Sequence, residues 1–339
     1  MRRRFRFSLA VLLVVVTAIA ILFNTIRRKA DKARTIDRLV RELEDTGGDV
    51  ERVGSPSSLM TLLYPSVDFR IVDEVRCGRR TTSAEICDLL PLLDDVTVLD
   101  LAGVPLTDEC LRPIGRLCQL IHLDLSHTLI SDEGLSCVRP LNRLGALIIQ
   151  GCEVTDACLD HVRSSELREL WIDETDITDE GLAILARLKS LRVLRARQTK
   201  ISAKGLVRLL KSVPLEILDV SATNLDDASM SAFRHSESLQ ELSLRETQIE
   251  TLASLPSMSS LRSIDLSLTD VNDEAVQRLG VAAPKIEELG LDGTAVSEKT
   301  LWQVAKWKSL IVISVRKCKL EASSIDEFRR LRPNVAVWH

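Results

Sequence analysis

From Val96 onward the apolar residues recur in a pattern that combines two periodicities. In the segment Leu120 to Leu135, LIHLDLSHTLISDEGL, leucines stand at the first, fourth and sixth places, and the alternation of the fourth to sixth places is that of a strand. Thr128 and Ile130 turn the chain inward, and Ser131-Asp132-Glu133 opens a short helix whose first apolar residue is Leu135. The unit begins again at Val96, Leu120, Leu144, Leu167, Leu191, Leu215, Leu239, Leu261, Ile286 and Leu310, with separations of 22 to 25 residues. Regularity over ten units predicts a stack of strand–turn–helix repeats, each burying its apolar face against its neighbours.

Each place has a physical reading. Leucines at the first, fourth and sixth places point inward, so the strands form one parallel sheet. The ninth place holds Thr128, Cys152, Thr175, Thr199, Thr223, Thr247, Thr269, Thr294 and Cys318, and only Val104 breaks the column. A threonine hydroxyl there can hydrogen-bond the turn backbone, and a cysteine can do so more weakly. Thr107, Ser131, Thr155, Thr178, Ser202 and Ser297 stand where helices should be capped, several followed by acidic residues that favour a helix N-terminus. From Glu250 to Ser260 the acidic cap is missing and Pro256 interrupts, so a shorter helical turn is expected; Val281 to Lys285 is its longer counterpart, and curvature should change between them. Upstream, Val72, Val75 and Cys77 fit a degenerate first repeat, and Arg79-Arg80-Thr81-Thr82 suits a polar cap. At the other end Asn334 to Trp338 reads as a truncated strand, with Trp338 as a lid on the last layer.

The pattern LxxLxLxxTxI followed by Ser or Thr and Asp resembles leucine-rich repeat proteins of the cysteine-containing and ribonuclease-inhibitor-like classes, and especially bacterial ones with an N-terminal membrane anchor. The resemblance covers about residues 72 to 339. It implies an α/β solenoid with the parallel sheet on the concave face and helices on the convex face.

The N-terminus has a different pattern. Phe7 to Ile26 carries no charge and would span roughly 30 Å as a helix, between Arg2, Arg3, Arg4 and Arg6 on one side and Arg27, Arg28 and Lys29 on the other. A single transmembrane helix is therefore expected; a cleaved signal peptide is the alternative, since Ala18-Ile19-Ala20 has the form of a cleavage site. The flanking charges, taken alone, favour a cytoplasmic repeat body, whereas a short Arg-rich tail before an apolar run favours export. The second reading places the repeats on the non-cytoplasmic side of a cell membrane. Asp31 to Asp45 reads as a helix with Ile36, Leu39, Val40 and Leu43 on one side, stopped by Gly47-Gly48 and serving as a stalk. The expected organisation is a basic tail (1–6), a transmembrane signal-anchor (7–26), a juxtamembrane helix and linker (27–58), a cap with a degenerate repeat (59–95) and the repeat domain with a C-terminal cap strand (96–339).

Charge and chemistry narrow the function. Residues 1 to 53 hold 12 Lys and Arg against 7 Asp and Glu, so in a chain of formal charge −4 the remainder stands at −9. That body repels phosphate backbones, and no nucleic-acid partner is expected. None of the eight cysteines forms a CxxC pair, and each lies at or beside an apolar repeat position, which argues against zinc and against a disulfide framework. Nucleophile elbows, HExxH, phosphate-binding loops and dinucleotide fingerprints are absent, so neither catalysis, a cofactor nor a small-molecule substrate is expected. His122, Asp124, His127 and Asp100 stand close enough in the repeat frame to suggest a metal, but polar strand residues produce such groupings cheaply, and no metal site is assigned.

The outward places of the strands remain. Trp171 occupies a fifth place beside Arg195, with Glu169, Asp173, Glu174 and Arg197 around it and Arg245 further along the same face. An aromatic ring among arginines and carboxylates has the composition of an interface hot spot; the alternative is a plain surface cation–π pair. The expected function is a membrane-tethered scaffold that binds a protein through Trp171, Arg195, Arg197, Asp173, Glu174 and Arg245. The alternative is an envelope structural or polysaccharide-binding component, which calls for more than one aromatic platform, whereas only Trp171 is read on the concave side.

Overall fold

The computed structural model describes residues 9–53, 71–78 and 80–339. Among them thirteen strands form one sheet in sequence order: β1 (Asp49–Val53), β2 (Ile71–Arg76), β3 (Val98–Asp100), β4 (His122–Asp124), β5 (Ala146–Ile148), β6 (Glu169–Trp171), β7 (Val193–Arg195), β8 (Ile217–Asp219), β9 (Glu241–Ser243), β10 (Ser263–Asp265), β11 (Glu288–Gly290), β12 (Val312–Ser314) and β13 (Ala336–Trp338). Pairing is parallel from β2 onward, with third, fourth and fifth places in register from repeat to repeat. The fourth-place residues, Leu99 to Ile313, are at most 2% exposed. They stack with the first- and sixth-place residues into a single continuous core.

Two columns close each turn. The eighth place has positive φ, between 52° and 72°, in every repeat from Gly103 to Lys317, and seven of the residues that adopt it are not glycine. Side chains disfavour this conformation by about 1–2 kcal/mol. What it gains is an outward-turned N–H: Gly103, His127, Gly151, Glu174, Gln198, Ala222, Glu246, Leu268 and Gly293 each donate to the seventh-place carbonyl of the next repeat, at 2.7–3.0 Å. At the ninth place the threonine hydroxyls donate to the sixth-place carbonyl of their own repeat, at 2.6–2.7 Å from Thr128 to Thr294. Cys152 and Cys318 instead donate Sγ–H to the sixth-place carbonyls of the preceding repeats, Leu125 and Leu291, at 3.0 Å.

The convex side carries α2 (Ser83–Leu89), α3 (Asp108–Leu111), α4 (Asp179–Leu185), α5 (Ala203–Leu210), α6 (Asp273–Ala282), α7 (Glu298–Val304) and α8 (Ala322–Leu331), with 3-10 turns taking the same position in other repeats. Between Glu250 and Ser260, where a shorter helical turn was expected, no helix forms at all. Thr155, Thr178, Ser202 and Ser297 accept an N–H from the helices they open, whereas Thr107 makes no such bond.

The aspartate after the cap does more than complement a helix dipole. Asp108, Asp132, Asp156, Asp179 and Asp273 each accept both the N–H and the hydroxyl of the next repeat's cap residue, Ser131, Thr155, Thr178, Ser202 and Ser297, at 2.6–2.9 Å. The ladder is interrupted where Ala203 replaces the aspartate; in the next repeat Asp226 caps its own turn through Ser229, while Asp227 accepts the N–H groups of Glu250 and Thr251 and the Thr251 hydroxyl. Each rung brings a carboxylate against the start of the following helix. A Cβ on Gly181 would lie 2.4 Å from Asp156 Oδ1, 2.7 Å from Ile177 Cγ2 and 3.0 Å from Leu159 Cδ1.

The N-terminal region departs from expectation in three ways. Among the described residues no helix is long and apolar enough to cross a membrane, which overturns the single-pass anchor over 7–26, the placement of the repeats on the non-cytoplasmic side and the membrane as a partner. The described part of the apolar run is the beginning of one 37-residue helix, α1 (Leu9–Asp45), whose later half is charged and docks on the first repeat; Phe7, Ser8 and the basic tail lie outside the described residues. In place of a stalk that half forms a cap. Leu39 and Leu43 join the solenoid core, Val40 is also buried, Lys32 pairs with Asp94, and Arg52 Nη1 meets Asp37 Oδ1 at 2.6 Å.

Second, β1 runs antiparallel to β2, so a hairpin strand covers the edge of the parallel sheet where a linker was expected. The Gly54 to Ser58 loop, Leu59 to Arg70 of the expected cap and Arg79 lie outside the described residues. Third, Cys87 and Cys110 form a disulfide between α2 and α3, contrary to the reading of all eight cysteines as free. They are 23 residues apart, close to one repeat, so equivalent points of adjacent layers stack with their Cα atoms 5.0 Å apart. Cys77 and Cys137 are free, and burial pushes both thiols up to about 12, as suits small apolar side chains.

Two predictions follow from the ladder. Gly181→Ala, which in an ordinary helix would stabilise, should instead destabilise by about 1–3 kcal/mol through overpacking, read as a lower denaturation midpoint. Burial opposes ionisation of Asp273, but the hydroxyls of Ser297 and Thr300 and the Ser297 N–H outweigh it, so its carboxyl sits below the usual range. A depressed folded pKa gives stability that is present above the unfolded value of about 3.9 and lost as pH falls through the folded one. Thermal melts below about pH 4 should therefore fall less steeply in Asp273→Asn than in the wild type.

Candidate functional site

The fifth places, set by strand register, make one row across the concave face: Asp100, Asp124, Ile148, Trp171, Arg195, Asp219, Ser243, Asp265, Gly290, Ser314 and Trp338. The seventh places make a parallel row that includes Asp173, Arg197, Arg245, Asp292 and Arg316.

Trp171, Arg195, Arg197, Asp173 and Glu174 come together on β6 and β7 and the turns that follow them. Arg195 lies over the Trp171 ring, 4.2 Å from its centroid, and Trp171 Nε1–H donates to Glu169 Oε1 at 2.7 Å. Trp171 is half-buried, and its in-register neighbour Ile148 is buried although the fifth place faces outward. Arg195 and Arg197 are exposed, and Arg197 Nη2 reaches Glu246 Oε2 at 3.7 Å. At that exposure the ion pair adds little to stability and leaves the guanidinium open to other partners.

Asp173 has a structural task. It is 7% exposed and accepts the Arg197 N–H at 2.6 Å. Burial raises its carboxyl above the usual range, reinforced by the charge of Asp219 and opposed by the Arg197 N–H and by Arg195 and Arg197. Glu174 is exposed at the positive-φ eighth place. Arg245, expected further along the same face, lies on the turn after β9 and lines a separate recess with Asp265, Asp292, Arg316 and Trp338.

Other sequence candidates separate. Asp124 accepts the N–H and hydroxyl of Ser126, at 2.8 and 2.5 Å. The His127 ring lies where a Cβ on Gly151 would fall, directed along the turn column. Among the described residues no group of three or more His, Cys, Asp or Glu is arranged to hold a metal ion.

Sequence reasoning missed Trp338. The pairing Ile313↔Val337 and Ser314↔Trp338 puts Val337 inward and Trp338 in the fifth-place row, 52% exposed, with Arg316 5.1 Å from its ring centroid. It is thus a second aromatic on the concave face and no lid. Continuing the count of 24 residues from Leu310 would have placed it there.

Two family models, both described as leucine rich repeat, match residues 214–271 and 117–138. No curated protein matches the sequence. Among solved structures the chain is similar to an internalin, InlF, from Listeria monocytogenes (TM-score 0.54, 15% identity, 82% of this chain and 92% of that one). It is also similar to a leucine-rich repeat protein of Leptospira interrogans (TM-score 0.50, 18% identity, 75% and 68%) and to TLR13 in complex with ssRNA13 (TM-score 0.50, 17% identity, 78% and 38%). At these identities the likeness shows the fold.

The geometry of Asp173 yields a prediction. Because its ionised form is disfavoured by burial, Asp173→Asn should keep or gain stability at neutral pH, with the amide oxygen still accepting the Arg197 N–H. Asp173→Ala should cost about 1–3 kcal/mol by leaving that N–H unpaired, both read from thermal melts.

Proposed function

We propose, from the premise that the chain is a leucine-rich repeat protein, that it is a non-catalytic scaffold which binds a protein partner on its concave face. The observation that carries this reading is the cluster on β6 and β7. A half-buried indole is stacked under an exposed arginine, held by Glu169, and flanked by Arg197 in a stack of rigidly paired strands. Trp and Arg are the residue types on which interface energy concentrates, and here their positions are fixed before a partner arrives, which lowers the cost of ordering them.

Within this reading Trp171 and Arg195 are the anchor and Arg197 and Glu174 its polar surround. Asp173 acts through the Arg197 backbone, and Arg245 marks how far the footprint extends toward the C-terminal repeats. The concave face suits recognition because its outward residues vary while the inward ones cannot.

Capture of the partner by the full chain, compared for wild type, Trp171→Ala, Arg195→Ala and the convex control Gln277→Ala, tests the assignment. The first two should weaken capture by about tenfold or more, in the range of hot-spot residues, while the control retains it. Unchanged capture by both concave variants would show that the anchor lies elsewhere.

A further inference from the structure

The recess at the C-terminal end of the concave face has no part in the Trp171 cluster. It is a cavity of about 450 Å³, inside the ~300–1,000 Å³ range of small-molecule sites, and is bounded by Trp338, Arg316, Arg245, Asp265, Asp292 and Gly290. Gly290 lies beneath Asp265: a Cβ there would fall 2.4 Å from Asp265 Oδ1, so the carboxylate leans over the glycine into the recess.

The polar groups around this recess are held on one side and open on the other. Asp265 Oδ1 accepts the Ser267 N–H at 2.8 Å, and Asp292 Oδ1 accepts the Arg316 N–H at 2.7 Å and the Ser314 hydroxyl at 2.5 Å. Among the described residues the second oxygen of each carboxylate, the two guanidinium groups and the Trp338 Nε1–H have no protein hydrogen-bond partner. Trp338 remains 52% exposed although Arg316 lies over part of its ring.

We propose that this recess binds a neutral saccharide unit, the end or an inner residue of a glycan chain. A purely anionic ligand would meet Asp265, Asp292 and Glu288, which also lines the recess, and a purely cationic one Arg245 and Arg316. A neutral polyol satisfies both signs at once, since each hydroxyl donates to a carboxylate and accepts from a guanidinium. The aromatic wall supplies the remaining element, a flat apolar face for the C–H side of a pyranose ring. The two carboxylates are planar and each is fixed in direction by a backbone N–H, as discrimination among hydroxyl positions requires. With Trp171 the concave face carries two aromatic platforms, seven strands or roughly 34 Å apart along the sheet at ~4.8 Å per strand. The site stands independently of the protein-binding reading, because none of the Trp171 cluster lines it.

The test uses the full chain titrated with cellohexaose, chitohexaose and maltohexaose by calorimetry, in wild type, Trp338→Ala, Asp265→Asn and the convex control Gln277→Ala. Saturable heat is expected with at least one hexamer, weakened about tenfold or more by Trp338→Ala, several-fold by Asp265→Asn, which preserves the side chain's shape, and unaltered in the control. The proposal is overturned if none of the three gives saturable heat at millimolar concentration. Binding that survives both concave substitutions overturns it too, as does loss of protein capture in Trp338→Ala without saccharide binding by the wild type, which would make the recess a second protein anchor.

Discussion

Every repeat in this chain leaves backbone groups that only the next repeat can satisfy. Three-residue strands have their N–H and C=O groups directed sideways, and the eighth-place N–H is turned outward at a conformational cost that is offset only when the following seventh-place carbonyl is present. The aspartate ladder adds a bond of the same kind on the convex side. A single repeat therefore has unpaired donors as well as an uncovered apolar face, and the stack is a requirement of the local chemistry. This also explains the ends. At the N-terminal side the exposed edge is met by a hairpin strand and by the amphipathic half of α1, which contributes Leu39 and Leu43 to the first layer.

That dependence divides the residues of each repeat into two groups. The inward leucines, the turn-closing threonines and the ladder aspartates are held by their neighbours, and substitution there changes stability. Most third, fifth and seventh places face outward on strands whose register is already fixed, so their side chains can vary without loss of the fold, while Asp173 and Ile148 are among the buried exceptions. Trp171 and Trp338 are both such residues, and each has an arginine from a neighbouring repeat over its ring. The two other tryptophans, Trp302 and Trp307, belong to the convex layer and pack against the core.

The repeat frame was legible in the sequence because its signal is periodic: Leu120, Leu123 and Leu125 recur with their spacing nearly unchanged, and the threonine column does what a hydroxyl at that place can do. The cap serines and threonines were legible too, but the cross-repeat reach of Asp156 or Asp273 was not, since it depends on how far one layer lies from the next. Cys87 and Cys110 were misread for the same reason. Each is an unremarkable residue near an apolar position, and only stacking brings them together. The run Phe7 to Ile26 was read as a segment by itself, and its continuation into a helix that docks through Leu39 and Leu43 was not foreseen. Trp338 was misplaced by reading the end of the chain as a special case; the ordinary count puts it on the concave face. Of the residues named for the partner site, Trp171, Arg195 and Arg197 share one cluster, while Arg245, on the turn after β9 with β8 between, lines another recess.

The central claim, that recognition belongs to the outward places of the sheet while the helices serve the frame, is tested most directly by hydroxyl-radical footprinting of the four tryptophans with and without the captured partner. Protection of Trp171 with Trp302 and Trp307 unchanged is the predicted result. Protection of Trp302 or Trp307 with Trp171 as reactive as in the free chain would contradict it.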